Sequence, residues 1–172
     1  MRVIIPCILS LASVSLLTSC QRYEVSVNDR LIYQPPSLYT NVIVDDDSLE
    51  QCLYDIIKQQ RLTKAEQLEK LHCPAGSILS LQGIATFSKI RQLVIKDHRL
   101  TNINDIAHLT ALTHADLRNN ALHDATALTK LAALKELDLR GNDALDCSST
   151  TALRDKADLT LHLPLHCAKQ SD

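Results

Sequence analysis

The chain has 172 residues and a formal net charge of -2, which bounds it to one domain of modest size and argues against a surface for nucleic acid or anionic membrane. Aromatic residues make up 3% and tryptophan is absent, which weighs against a small-molecule pocket with aromatic walls. With three glycines there is no glycine-rich phosphate loop.

The first element is a targeting segment. Arg2 supplies a positive start, and Val3 to Leu17 is a mostly apolar run interrupted by Pro6. That run is short for a membrane span of roughly 20 residues and suits the apolar region of a signal peptide. Leu17-Thr18-Ser19-Cys20 follows and resembles the bacterial lipobox. The resemblance implies that residues 1–19 are removed and that Cys20 becomes the N-terminus, carrying diacylglyceryl and an N-acyl chain. Several acyl chains, at about 0.8 kcal/mol per buried CH₂, make a stable membrane anchor. Gln21 stands where an aspartate would act as a retention signal, so the likeness implies sorting to the outer membrane in Gram-negative enterobacteria. An ordinary signal peptide, with Cys20 a plain thiol, is the alternative.

Residues 20–47 read as an N-terminal extension or tether. Tyr23 to Val27 alternates as a short strand does, Leu31-Ile32-Tyr33 follows, and Pro35-Pro36 breaks any continuous element. Tyr23, Tyr33 and Tyr39 either pack on the domain or ride on a free tether. Residues 48–67 read as a helical cap. Ser48 with Gln51 has the spacing of a capping box, and Leu49, Cys52, Leu53, Ile56 and Ile57 share one helical face. Thr63 with Glu66 repeats the capping signature and predicts a second helix towards Leu71.

From residue 68 to 146 the apolar pattern returns every 22 positions: Ile90, Leu112, Leu134; then Leu93, Ala115, Leu137; then Ile95, Leu117, Leu139. Counting back one period from Ile90 gives Leu68, with Leu71 and Cys73 in the matching slots. A fixed period of this size marks a solenoid. Leu81, Ile84 and Phe87, and their counterparts one period on, sit three apart, which fits tight 3₁₀ turns better than an α-helix. Each coil is therefore one short strand and one tight convex segment, about four coils in all. The register slips after Asn142, and residues 147–172 read as a C-terminal cap.

Cys7 leaves with the targeting segment and Cys20 is taken by lipid, which leaves Cys52, Cys73, Cys147 and Cys167. Four cysteines in an exported chain imply two disulfides with three possible connectivities. Cys73 and Cys147 are a little over three coils apart, on the order of 16 Å at about 4.8 Å per strand. A disulfide needs Cα atoms within roughly 7 Å, so the two ends cannot be joined to each other. Cys52–Cys73 and Cys147–Cys167 remain, one staple at each end.

The L-x-x-L-x-L-x-x-N pattern resembles the leucine-rich repeat family, in its 22-residue internalin type, over roughly residues 68–153. The resemblance implies an α/β solenoid with a parallel sheet on its concave face, capped by helix at one end and by the disulfide-stapled segment at the other. It also implies a turn-asparagine ladder, which Asn120 and Asn142 fit and His98 and Gly76 do not. Residues between the inward leucines then form outward columns: Lys70, Gln92, His114, Glu136; His72, Val94, Asp116, Asp138; and Pro74, Lys96, Arg118, Arg140. Members of this family mostly bind partners on that face. The binding candidates are Gln92, Val94, Lys96, His114, Asp116, Arg118, Glu136, Asp138 and Arg140.

No catalytic constellation is complete: His114 near Asp116 makes half a dyad, with no Ser or Cys in the adjacent strand slots. His162, His166 and Cys167 have a ligand-like spacing, but Pro164 lies between the histidines and Cys147 needs Cys167, so no metal is expected. The expectation is a non-enzymatic, cofactor-free binding module for a protein or glycan at the bacterial envelope, anchored at Cys20, with no nucleic acid and no small-molecule substrate. The alternative is a structural envelope lipoprotein without a concave-face ligand.

Overall fold

The computed structural model describes residues 25–27, 30–33 and 36–168. The targeting segment, Cys20 and Tyr23 lie outside the described residues. The chain divides into two compact units, Met1–Pro36 and Ser37–Asp172. In the first, β1 (Val25–Val27) and β2 (Arg30–Tyr33) pair antiparallel, with Val27 opposite Arg30.

The second unit begins with a segment laid on the repeats. The Tyr39 amide donates to Leu62 O at 2.8 Å, its ring meets Phe87 edge-on at 6.0 Å, and Val42 is buried. Helix α1 (Asp47–Gln60) follows and buries Leu49, Cys52, Leu53, Ile56 and Ile57 along one face. Its N-cap is Asp46 rather than Ser48. Asp46 has an extended backbone, and its Oδ1 accepts from Leu49 N at 2.9 Å. Asp46 wins because its second oxygen also accepts from Leu79 N at 2.8 Å, which ties the helix start to the first coil. Ser48 instead lies 3.1 Å from the Ser77 hydroxyl. Arg61, in the left-handed region, ends the helix, and Leu62 N returns to Ile57 O at 3.0 Å.

The second helix predicted from Thr63 and Glu66 does not form. Gln67, not Glu66, folds back, and its Oε1 accepts from Thr63 N at 2.7 Å and Lys64 N at 3.0 Å. The result is one 3₁₀ turn, Ala65–Gln67, because Leu68 and Leu71 are drawn into the core of the first coil. Tertiary burial outweighs helix propensity here.

Five parallel strands follow: β3 (Lys70–His72), β4 (Gln92–Val94), β5 (His114–Asp116), β6 (Glu136–Asp138) and β7 (Thr160–His162). Lys70, Gln92, His114 and Glu136 stand opposite one another, so the sequence period is also the sheet register. The C-terminal cap supplies β7, with Thr160 opposite Glu136, two residues beyond that period. The convex side is made of 3₁₀ turns at Ile84–Phe87, Asn104–His108, Thr126–Lys130 and Cys147–Thr150. The three-apart apolar residues Leu81, Ile84 and Phe87, and later Ala125, Leu128 and Leu131, are at most 1% exposed. The core is thus a column of aliphatic side chains between strands and turns.

Two polar ladders hold the coils in register. Asn120 Oδ1 accepts from Leu100 N at 3.1 Å while its Nδ2 donates to Ile95 O and Leu117 O. Asn142 repeats this one coil on. His98 belongs to the same ladder after all: its Nδ1 accepts from Ile78 N at 3.2 Å. The ring nitrogen stands where the amide oxygen of Asn120 stands one coil on, so a histidine fills an asparagine position. The imidazole cannot copy the other half of the pattern, and its buried Nε2 makes no well-formed hydrogen bond among the described residues. In the turn before, Asp97, Asn119 and Gly141 all adopt positive φ (60°, 52° and 71°), and Asn119 Nδ2 donates to Asp97 Oδ1 at 2.6 Å. Asp, Asn and Gly are the residues that tolerate this conformation.

The disulfide Cys52–Cys73, with Cα atoms 5.7 Å apart, fastens α1 to the end of β3. Cys147–Cys167, at 5.1 Å, fastens the last 3₁₀ turn to the short helix Leu165–Ala168. Formed disulfides belong to an oxidising, exported compartment. Among the described residues no helix is long and apolar enough to cross a membrane.

Burial lowers the His98 pKa, against the opposing pull of the Cys73 and Pro74 carbonyls and of Asp46 and Asp97. The unfolded chain therefore takes up a proton below about pH 6.5 that the folded chain resists. Stability contributed at this position is complete above that pH and declines as pH falls towards the lowered folded value. Thermal melts at pH 7.5 and 5 should show a larger acid loss for the native chain than for His98→Asn, whose amide carries no such proton. Equal losses in the two proteins would exclude His98 as the titrating group.

Candidate binding face

The sheet alternates, although the outward Asp138 is itself buried beneath Arg140. Leu71, Leu93, Ala115 and Leu137 point into the core, and their neighbours point out. Gln92, His114 and Glu136 share one outward column; Val94, Asp116 and Asp138 share the next, extended by His162 on β7. Lys96, Arg118 and Arg140 follow just beyond the strands. A concavity of about 400 Å³ is lined by Gln92, Val94, His114, Asp116, Arg118, Glu136, Asp138, Arg140 and His162.

The charged residues pair along their own strand. Arg118 donates from Nε to Asp116 Oδ1 at 2.8 Å and from Nη2 to Oδ2 at 2.7 Å. Arg140 grips Asp138 in the same way, with Nε 2.9 Å from Oδ1. The two pairs are linked, because Arg118 Nε lies 3.5 Å from Asp138 Oδ2. Partial burial alone would raise the carboxyl pKa of Asp116 and Asp138. Hydrogen bonds from the arginine side chains and backbone amides, together with the arginine charges, outweigh it and hold both below the usual carboxylate range. Arg118 is correspondingly raised by its bond to Asp116. Both aspartates stay ionised through the neutral range.

His114 and Asp116, near each other in the sequence, turn to different partners. The His114 Nδ1 lies 2.8 Å from Thr113 Oγ1, whose hydroxyl donates to Arg91 O at 2.9 Å, and its Nε2 is 3.8 Å from Glu136. The hydroxyl proton is spent on the carbonyl, so Thr113 accepts from Nδ1–H and the pair positions the ring. Thr113 carried no signal in the sequence because it lies one residue before the strand. In the sequence His162 shows only a ligand-like spacing to His166 and Cys167. Its place on the binding face depends on the two-residue offset of β7, which the repeat count does not contain.

The cap histidines do not assemble a metal centre. His162 faces the concavity while His166 Nε2 lies 2.9 Å from Leu145 O. The one His/Cys cluster among the described residues is Cys147, His166 and Cys167, and the Cys147–Cys167 disulfide occupies both sulfurs.

No protein-family model and no curated protein matches the chain. Solved structures do. An internalin (inlF) from Listeria monocytogenes is similar with a TM-score of 0.51 and 20% identity, over 72% of this chain and 44% of the internalin. A leucine-rich repeat protein of Leptospira interrogans has a TM-score of 0.49 and 22% identity, over 57% of this chain and 25% of its own. The chain therefore spans less than half the length of either protein. At this identity the internalin likeness speaks to fold, and with the parallel sheet and 22-residue register above it shows that the chain folds as an α/β leucine-rich repeat solenoid.

Proposed function

We propose that the chain is an envelope lipoprotein whose leucine-rich repeat unit binds a protein partner on its concave face and catalyses no reaction. The observation that carries this reading is the sorting of side chains on one sheet. Inward core residues alternate with outward ones, and the outward ones gather mainly polar and charged groups around a concavity of about 400 Å³. Charge patterned over one face in this way is what a complementary partner surface can match. The lipobox-like Leu17 to Cys20 supports anchoring through Cys20 at the outer membrane, and the two disulfides agree with export. A glycan partner fits the same face less well, because sugar sites favour the aromatic platforms that it lacks.

The test is site-specific photocrosslinking in intact cells, from a probe at Val94 and from a control at Lys130 on the convex side. A protein should be captured from Val94 and not from Lys130. Arg118→Glu combined with Arg140→Glu should abolish capture while the far-UV circular dichroism is retained. The same cells carrying Cys20→Ser should release the protein from the membrane fraction. One observation favours the second reading, a structural lipoprotein without a ligand: Arg118 and Arg140 already have carboxylate partners within the chain. Identical crosslinks from Val94 and Lys130 would establish that reading instead.

A further inference from the structure

The concave face carries charge of both signs, and its partner depends on which sign is presented. The ion pairs are not symmetric towards solvent. The Asp116 and Asp138 side chains are 23% and 12% exposed, against 34% and 54% for Arg118 and Arg140. The carboxylates lie underneath and the guanidinium groups lie above them. Each arginine spends Nε and Nη2 on its own aspartate, so an approaching surface meets the remaining edge of the fork. Neither Nη1 has a hydrogen-bond partner among the described residues. Lys96 precedes them in the same column and makes no ion pair among the described residues. Of the exposed carboxylates nearby, Glu136 sits two columns away beside His114, and Asp97, next to Lys96, has its Oδ1 taken by Asn119 Nδ2.

From this geometry we infer that the partner is acidic: an aspartate- or glutamate-rich segment of a protein, lying along the column Lys96, Arg118 and Arg140. The inference rests on the concave-face reading above and adds the chemistry of the partner. Three cations repeat at the spacing of neighbouring strands, about 4.8 Å, within reach of successive carboxylates on flexible side chains. Arginine suits the task because its planar fork takes a carboxylate on each free edge. The aspartates below fix the guanidinium orientation beforehand, so little side-chain freedom is left to lose when a partner docks. Val94 and Gln92 complete the floor with uncharged groups, which add no repulsion for an anion.

The experiment titrates the full chain with fluorescein-labelled octaglutamate, octalysine and an oligogalacturonate of equal charge, read by anisotropy at low and high salt. Octaglutamate should bind, octalysine should not, and binding should weaken as salt is raised. Lys96→Gln leaves both arginine–aspartate pairs intact and should weaken octaglutamate several-fold. Arg118→Gln with Arg140→Gln should weaken it roughly tenfold or more. If the double variant fails to fold, Lys96→Gln alone decides. Octaglutamate binding unchanged by Lys96→Gln, or preference for octalysine, overturns the proposal. Oligogalacturonate bound more tightly than octaglutamate through the same residues would make the occupant an anionic glycan, and also overturns it. If the Val94 probe captures a protein that octaglutamate does not displace, the acidic partner falls while the concave-face reading stands. If Val94 captures nothing, both fall.

Discussion

Asn142→Ala is expected to be among the most damaging single substitutions in the chain. Asn142 is fully buried, and its amide serves three backbone groups: Leu122 N, Leu117 O and Leu139 O. Alanine leaves one amide and two carbonyls without these partners inside the coil. Each unsatisfied buried group costs about 1–3 kcal/mol, so the loss should be about 3–5 kcal/mol after partial relaxation. Urea unfolding followed by circular dichroism measures it, with the slope of the transition checked for unchanged cooperativity. Asn142→Asp is the informative companion, since it keeps the acceptor for Leu122 and discards both donations. A loss below about 1 kcal/mol for the alanine variant would mean that water replaces the amide and that the ladder is not what holds this turn.

Gly83→Ala should be nearly as costly, for a different reason. Gly83 has φ +91°, and a Cβ there would lie 2.2 Å from Ile43 O and 3.0 Å from the Val44 Cα. These are backbone atoms, so no rotamer change relieves the overlap. The positive φ adds roughly 1–2 kcal/mol for any residue with a side chain. The segment that includes Ile43 and Val44 must lift off the first coil, at a total of about 2–4 kcal/mol. The hydrogen bonds Asp45 N to Gln82 O and Tyr39 N to Leu62 O should weaken together, so faster hydrogen exchange at both amides is the second readout. Gly76→Ala is the control. Its Cβ would meet His98 Cε1 at an ordinary 3.4 Å, and the cost should stay under about 1 kcal/mol. Equal losses at Gly76 and Gly83 would show that glycine flexibility, not the close approach of Ile43, governs this end.

The two positions separate kinds of information in the chain. Asn142 could be picked out by counting, because the residue repeats at the period of the leucines and has a chemical reason to repeat. Nothing about Gly83 repeats. Its requirement comes from a segment 40 residues earlier that crosses the first coil. The same division runs through the binding face. Strand alternation is local, so the outward columns Gln92–His114–Glu136 and Val94–Asp116–Asp138 follow from the period alone. The joining of Arg118 to Asp116 and not to a ligand, and of His114 to Thr113, depends on rotamers that no spacing records.

Periodicity therefore carried the solenoid, its register, the outward columns and the pairing of cysteines at opposite ends. Those features are repeated in one dimension, and each coil meets only its neighbours. The ends were legible in outline alone. At the first coil, Asp46 took the cap from Ser48 by serving two amides at once, and Gln67 turned a would-be helix into a single 3₁₀ turn. At the last coil, β7 joined the sheet two residues off the period and brought His162 to the face. An end has a neighbour on one side only, so its conformation is settled by whichever non-repeating segment covers it. That competition among buried contacts and backbone hydrogen bonds is decided in three dimensions.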